Sequence, residues 1–371
     1  MKLHVENFGP IGKADIILGD LNVSVGPHGS GKSLFWQLLK LLLDAPAVRE
    51  KFLKHNIDWD LYFGQGMKHL VGESTVIHAD GQERRLDGKL FGRKGAHRES
   101  LFYIPAQRAM ALSCGLTRSF TEYHYGDPYA VRDFSDKLHW LVQTEFVLVD
   151  KLFPQVNRLG EHLRELIDGA FFHGFSLELT RDTSFFRKLV LRKGDIRLPF
   201  VAWASGQREF LPLLLGLYWL MPAEKARRDD VSWVVIEEPE IGLHPNAILV
   251  FMALALELLH RGYRVCLSTH SPLVMDVVWA LQTFKRYGGT VDDVLRVFGL
   301  PSNGKTKEMA QSALNKDIRV NYFKPGAGVI DISNLDLGAT STDMAGWGGL
   351  LESSANVGNA VAEVMTRAAS E

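Results

Sequence analysis

The segment Gly26-Pro27-His28-Gly29-Ser30-Gly31-Lys32-Ser33 constrains this chain more than any other, because it satisfies GxxxxGK[ST] without a mismatch. Ahead of it, Leu21 to Val25 is apolar enough for a buried strand, and behind it Lys32 to about Leu43 has the apolar density of a helix. Strand, glycine loop and helix in that order turn several backbone N–H groups into a concavity at a helix N-terminus, which attracts anions. The expectation is a loop that cradles phosphates with the backbone of residues 26–31. Lys32 would reach the β- and γ-phosphates and Ser33 would ligate Mg²⁺. The plainer alternative is a glycine-rich turn before a helix, and the flanking elements argue against it.

A second motif lies far along the chain. Val234-Val235-Ile236-Glu237-Glu238-Pro239-Glu240 is a short apolar strand that delivers acidic groups to its C-terminal end, where open α/β sheets place ligands. Glu237 is expected to orient Mg²⁺ through its coordinated water, and Glu238 to polarise an attacking water as general base. Glu240 reads as structural. Without the glycine loop this stretch would read as the acidic start of a helix after a core strand.

Further strands are expected at Leu3 to Glu6, Ala14 to Leu18 and Arg264 to Ser268, and a hairpin at Ser74 to Ala79 and Arg84 to Leu86. Pro245 to His260 reads as a helix, and its alternation with the apolar strands points to a largely parallel sheet flanked by helices. From Val131 to about Asp168 the spacing of Phe134, Leu138, Leu141, Val142 and Phe146 predicts one buried helical face. The domain expectation is therefore a nucleotide-binding unit over 1–130 and 170–371 with a helical insertion at 131–169. The tail is read as a strand near Gly328 to Ile332 and an amphipathic helix from about Val357 to Ala369.

Forty-two basic against 43 acidic residues leave a formal net charge of -1, so no global field draws nucleic acid. Local basic groups at Arg93, Lys94, His97 and Arg98, and at Arg187, Lys188, Arg192 and Lys193, leave DNA binding open against the plainer reading of exposed edges. Two distant cysteines, Cys114 and Cys266, favour a reducing cytosol over a disulfide scaffold. The most apolar segment, Phe210 to Met221, is too short to span a bilayer and contains Pro212.

Taken together, Gly26–Ser33, Pro105–Arg108, Trp203–Arg208, Val234–Glu240, Leu243–Pro245 and Ser268–Pro272 resemble the motif set of the ABC-type ATPase superfamily, on its SMC/Rad50/RecF side. The resemblance implies an α/β P-loop NTPase fold with a mixed sheet flanked by helices, and ATP and Mg²⁺ as ligands. It makes Gln107 the glutamine that senses Mg²⁺ and the γ-phosphate, and His270 the γ-phosphate histidine. It makes Ser205, Gly206 and Gln207 the turn that caps ATP bound by a second subunit. Ala204 stands where the usual serine hydroxyl would be; either Ser205 supplies it or the cap relies on backbone N–H groups and the helix dipole. Arg108 could meet a phosphate or an interdomain carboxylate.

Leu243-His244-Pro245 with Glu-Glu-Pro-Glu looks more like the non-transporter branch, including ATPases of overcoming-lysogenisation-defect systems and bacterial defence modules. The resemblance implies ATP hydrolysis by a head-to-tail homodimer, or a larger assembly built on it, that controls a separately encoded effector such as a nuclease, and the departure at Ala204-Ser205 points to slow turnover. Two alternatives stand beside it: a RecF/Rad50-like DNA-binding ATPase of repair, and a catalytically weak nucleotide-gated scaffold.

Overall fold

The computed structural model describes residues 1–58, 61–65, 67–84, 86, 98–124, 126–181, 187–223 and 225–370. Its centre is a six-stranded sheet in the order Gly328–Asp331, Ile318–Lys324, Leu21–Val25, Arg264–Ser268, Trp233–Glu237, Leu101–Ile104. The last five run parallel and Gly328–Asp331 pairs antiparallel at the edge, so the sheet is mixed. The register aligns Glu237 with Ser268 and Ser268 with Ser24, and Ile236 with Ile104. Four C-terminal strand ends therefore lie side by side.

Side chains alternate across a strand, and here both faces are buried. Phe102, Ile104, Val234, Ile236, Val265 and Leu267 enter one apolar cluster, with the helices Ser205–Leu220, Pro245–His260 and Pro272–Tyr287. Leu101, Tyr103, Trp233, Val235 and Cys266 enter the other. There the helix Lys32–Lys54 buries Phe35, Trp36, Leu38 and Leu39 between the central sheet and an antiparallel sheet. That outer sheet has the order Ile11–Ile17, Lys2–Phe8, Val71–Ala79, Gln82–Glu83. It includes the first strand of the expected hairpin; the second expected strand, to Leu86, lies partly outside the described residues.

The helix after the glycine loop runs to Lys54, beyond the expected end near Leu43. Asp44 leaves helical geometry (φ -120°, ψ 21°) just before Pro46, so a kink joins two helical stretches. Helices over Val291–Phe298 and Gly304–Leu314 and the parallel strand Ile318–Lys324 complete the sheet's far side.

Within 131–169 the helix Tyr129–Trp140 passes into a π-helical turn at Leu141–Glu145. Lys151–Phe153 then becomes the edge strand of a third, antiparallel sheet with Ser176–Arg181, Arg187–Lys193 and Ile196–Pro199. Phe134, Leu138, Leu141, Val142 and Phe146 are all buried, in the same cluster as the helix-covered face of the central sheet. The C-terminal helix Glu352–Ser370 leaves Val357, Val361, Val364 and Met365 exposed. Among the described residues, no helix is long and apolar enough to cross a membrane.

Candidate functional site

The glycine loop leaves the C-terminal end of the fully buried strand Leu21–Val25. Gly26, Gly29 and Gly31 have φ of 142°, 75° and 99°, values that favour residues without a Cβ. At two of them space is also closed. A Cβ on Gly26 would stand 2.5 Å from the Phe323 carbonyl oxygen, and one on Gly31 would stand 2.6 Å from Ile11 Cγ1. Lys32 is buried, and its Nζ donates to the carbonyl oxygens of Gly26 (2.6 Å) and Pro27 (2.8 Å). Burial pushes its pKa down to about 8, against the pull of Glu238, Glu240 and Glu237. A cation held this way is short of a full counter-charge, which a phosphate would supply.

Glu237 ends its strand completely buried. Its Oε2 accepts from the Ala106 N–H at 3.2 Å, while Oε1 makes no well-formed hydrogen bond. Burial raises its pKa, although the Ser33 and Tyr103 hydroxyls and the Ala106 N–H favour the anion. A buried carboxylate beside the Ser33 hydroxyl, with one oxygen unpartnered, fits a hydrated Mg²⁺ in donor type and in charge.

Glu238 takes the left-handed region at φ 41°, which a side chain with a Cβ rarely adopts. Its N–H donates to the Ser268 carbonyl at 2.9 Å, and its Oε1 lies 3.5 Å from His270 Nε2. That contact, before all else, holds the Glu238 carboxyl below its ordinary value. His28, exposed in the glycine loop, lays its ring over that of His270 with centroids 4.0 Å apart. Glu240 is structural: its Oε1 accepts from the His270 N–H (2.6 Å) and the Thr269 hydroxyl (2.8 Å), tying two strand ends together.

The Arg108 guanidinium is spent on backbone carbonyls rather than on a carboxylate. Fully buried, it donates to the carbonyl oxygens of Glu237 and Glu238 (3.1 Å each), Pro239 (3.3 Å) and Glu209 (3.3 Å). It thus clamps the turn that carries Glu238 and ties it to the helix Ser205–Leu220. Nothing local in the sequence points to this, because the acceptors are backbone groups distant along the chain. The neighbouring Gln107 side chain is exposed, at the C-terminal end of Leu101–Ile104.

The turn at Ala204–Gln207 starts the helix Ser205–Leu220, with Ser205 exposed. Gln207 is turned into its own chain. Its Oε1 accepts from the Ala204 N–H (3.0 Å) and its Nε2 donates to the Phe171 carbonyl (2.7 Å). His244 caps the next helix, accepting from the Asn246 N–H at 3.3 Å.

Of the two basic groups, Arg93, Lys94 and His97 lie outside the described residues. In the other, Arg187 is buried and donates to the Phe146 and Val149 carbonyls, so it adds nothing to a basic surface. Arg192 faces Glu178 at 3.7 Å and Lys193 donates to the His173 carbonyl at 2.8 Å.

The parallel strands, the glycine loop and the acidic strand end define an α/β P-loop NTPase fold of ABC-ATPase-like architecture, with a mixed sheet between helices. Residues 130–276 match the family model described as "AAA domain, putative AbiEii toxin, Type IV TA system". A curated relative, the OLD nuclease of Thermus scotoductus, is 23% identical, over 74% of this chain and 60% of its own. The chain thus spans less than two thirds of that relative's length. Among solved structures, an SMC head bound to the C-winged helix domain of ScpA matches at 12% identity (TM-score 0.41), covering 74% of this chain and 90% of that one. The SMC head domain from Thermotoga maritima matches at 14% identity (TM-score 0.34), with coverage of 74% and 90%. Over these stretches the chain is similar to an AbiEii-type AAA domain and to an OLD nuclease.

Proposed function

We propose that this chain binds ATP with Mg²⁺ and hydrolyses it slowly. One observation carries the proposal: three neighbouring strand ends converge Lys32, Ser33, Glu237, Glu238 and His270 on one place, and its charged groups lack full partners. The loop backbone and Lys32 bind and orient the phosphates. Ser33 and Glu237 would hold Mg²⁺, which supplies charge stabilisation on the transferred group when bound. Glu238, kept anionic beside His270, positions a water and takes its proton. The water oxygen bonds to the γ-phosphorus, and the bond to the β-phosphate oxygen breaks, giving ADP and phosphate. His270 and Gln107 address the γ-phosphate.

The same reading makes the active form a head-to-tail homodimer, in which Ser205 and Gly206 face the partner's nucleotide while Gln207 braces the turn from within. The toxin–antitoxin name of the matched family and the nuclease name of the longer relative support a regulatory ATPase that controls a separate effector in bacterial defence. Glu238→Gln tests the chemistry. Phosphate release is expected to fall by about 10²–10⁴-fold, with ATP–Mg²⁺ binding kept and a dimer accumulating in light scattering. An unchanged rate of release in the variant would refute the assignment of the base.

A further inference from the structure

We propose that His28, Glu238 and His270 form a binding site for one divalent transition-metal ion, best suited to zinc, in the nucleotide-free protein. The three come from the glycine loop and from the turns after two neighbouring parallel strands. Each offers one ligand atom, and these atoms all lie within 4.8 Å of one another. The two imidazoles are stacked with centroids 4.0 Å apart and planes 32° apart, beside a single carboxylate. His270 Nε2 is buried without a hydrogen bond, 3.5 Å from Glu238 Oε1.

Zinc bonds of about 2.0–2.2 Å in a tetrahedron set ligand atoms roughly 3.3–3.5 Å apart. The Glu238–His270 separation already meets this spacing, and the ligand atom of the exposed His28 lies within 4.8 Å of both, so its ring has to turn from the stack to complete the set. The donor set decides the ion. Two imidazoles and one carboxylate select borderline ions such as Zn²⁺, whereas Mg²⁺ takes oxygen ligands and suits Ser33 with Glu237. Two of the ligands are braced in advance: Glu240 accepts from the His270 N–H at 2.6 Å, and Arg108 donates to the Glu238 carbonyl at 3.1 Å. Three protein ligands leave a fourth position open to water.

An ion held here ties the glycine loop to both strand ends and occupies Glu238 and His270. Zinc and a triphosphate therefore exclude one another; this consequence rests on the ATP reading, whereas zinc binding itself does not. The test is calorimetric titration of the metal-free full chain with ZnCl₂, without nucleotide, for the unaltered protein, His28→Asn, Glu238→Gln and Cys114→Ser. Cys114 is exposed and is the competing thiol ligand.

One zinc per chain is expected. Affinity should fall at least tenfold, the loss typical of removing even an outer support of a metal site, in His28→Asn and in Glu238→Gln. It should be unchanged in Cys114→Ser, and all four proteins should melt alike. No saturable zinc binding, affinity in either site variant equal to that of the unaltered protein, or loss of binding in Cys114→Ser would each overturn the proposal. Because no nucleotide enters the titration, its outcome is separate from that of the ATP reading.

Discussion

Two lysines on one helix, Lys32 and Lys40, are both buried and have opposite surroundings. Lys32 donates to two loop carbonyls, and burial lowers its pKa to about 8. Lys40, about two turns further along, donates to Asp44 (2.8 Å), Glu99 (2.7 Å) and the Leu101 carbonyl (2.6 Å). Burial works against that cation too, but Glu99, Asp44 and Asp133 outweigh it and its pKa is raised. The network continues through Lys51, Asp133 and Lys137, joining the phosphate-loop helix to the helix Tyr129–Trp140. A cluster that satisfies itself holds the fold together. A site whose cation is under-partnered and whose carboxylate oxygen is orphaned is set to receive something from outside.

The largest effect that would break this contrast is on stability. Lys40→Met leaves Asp44 buried without its cation and takes one of three from Glu99, and is expected to cost about 3–5 kcal/mol in chemical denaturation. Lys32→Met should change stability by no more than about 1 kcal/mol, since its charge is already disfavoured by burial. Equal losses in the two variants would erase the distinction.

The next effect is on pH dependence. Lys32 must be charged to meet phosphate, and its pKa in the free protein is about 8. Above that value binding requires proton uptake, so ATP affinity should be about tenfold weaker at pH 9 than at pH 7. A flat profile measured by calorimetry would remove Lys32 from the phosphate contacts.

Acid stability sharpens the other side. Burial and Asp133 push the Glu99 carboxyl up, yet Lys137, Lys40 and Lys51 bring it down to about 2, below its ordinary 4.5. A depressed carboxylate stabilises the fold above its unfolded pKa and loses that contribution as pH falls through the folded value. Glu99→Gln should therefore flatten the decline in stability between pH 4.5 and about 2. A parallel acid curve in the variant would contradict the pairing.

The smallest expected effect concerns Arg108. Arg108→Lys keeps the charge but not the fork that reaches four carbonyls. Turnover should drop about tenfold with ATP affinity nearly unchanged, whereas loss of affinity in step with turnover would make Arg108 a general support of the fold.

The contrast also marks what was legible in advance. Glycines at 26, 29 and 31, the apolar run before them and the charges after Ile236 carry local signals of period and backbone freedom, and they located the fold class and the strand ends. Lys40 and Asp44 have the spacing of a helical ion pair, but their partner Glu99 comes from a distant segment that periodicity does not register. Arg108 escaped for the same reason, and Gln207 could be given a partner only once Phe171 was seen beside it. The strand Ile318–Lys324 is not among the expected ones, although Ile318, Val320 and Tyr322 alternate with Arg319 and Asn321; in the fold even Asn321 is buried.

The central claim is met most directly by titrating ATP–Mg²⁺ onto the chain and onto Lys32→Met. Saturable binding to the unaltered chain is predicted, weakened by at least about 100-fold in the variant (roughly 2.7 kcal/mol), with matching melting temperatures. Absence of binding to the unaltered chain, or equal affinity in the folded variant, would contradict it.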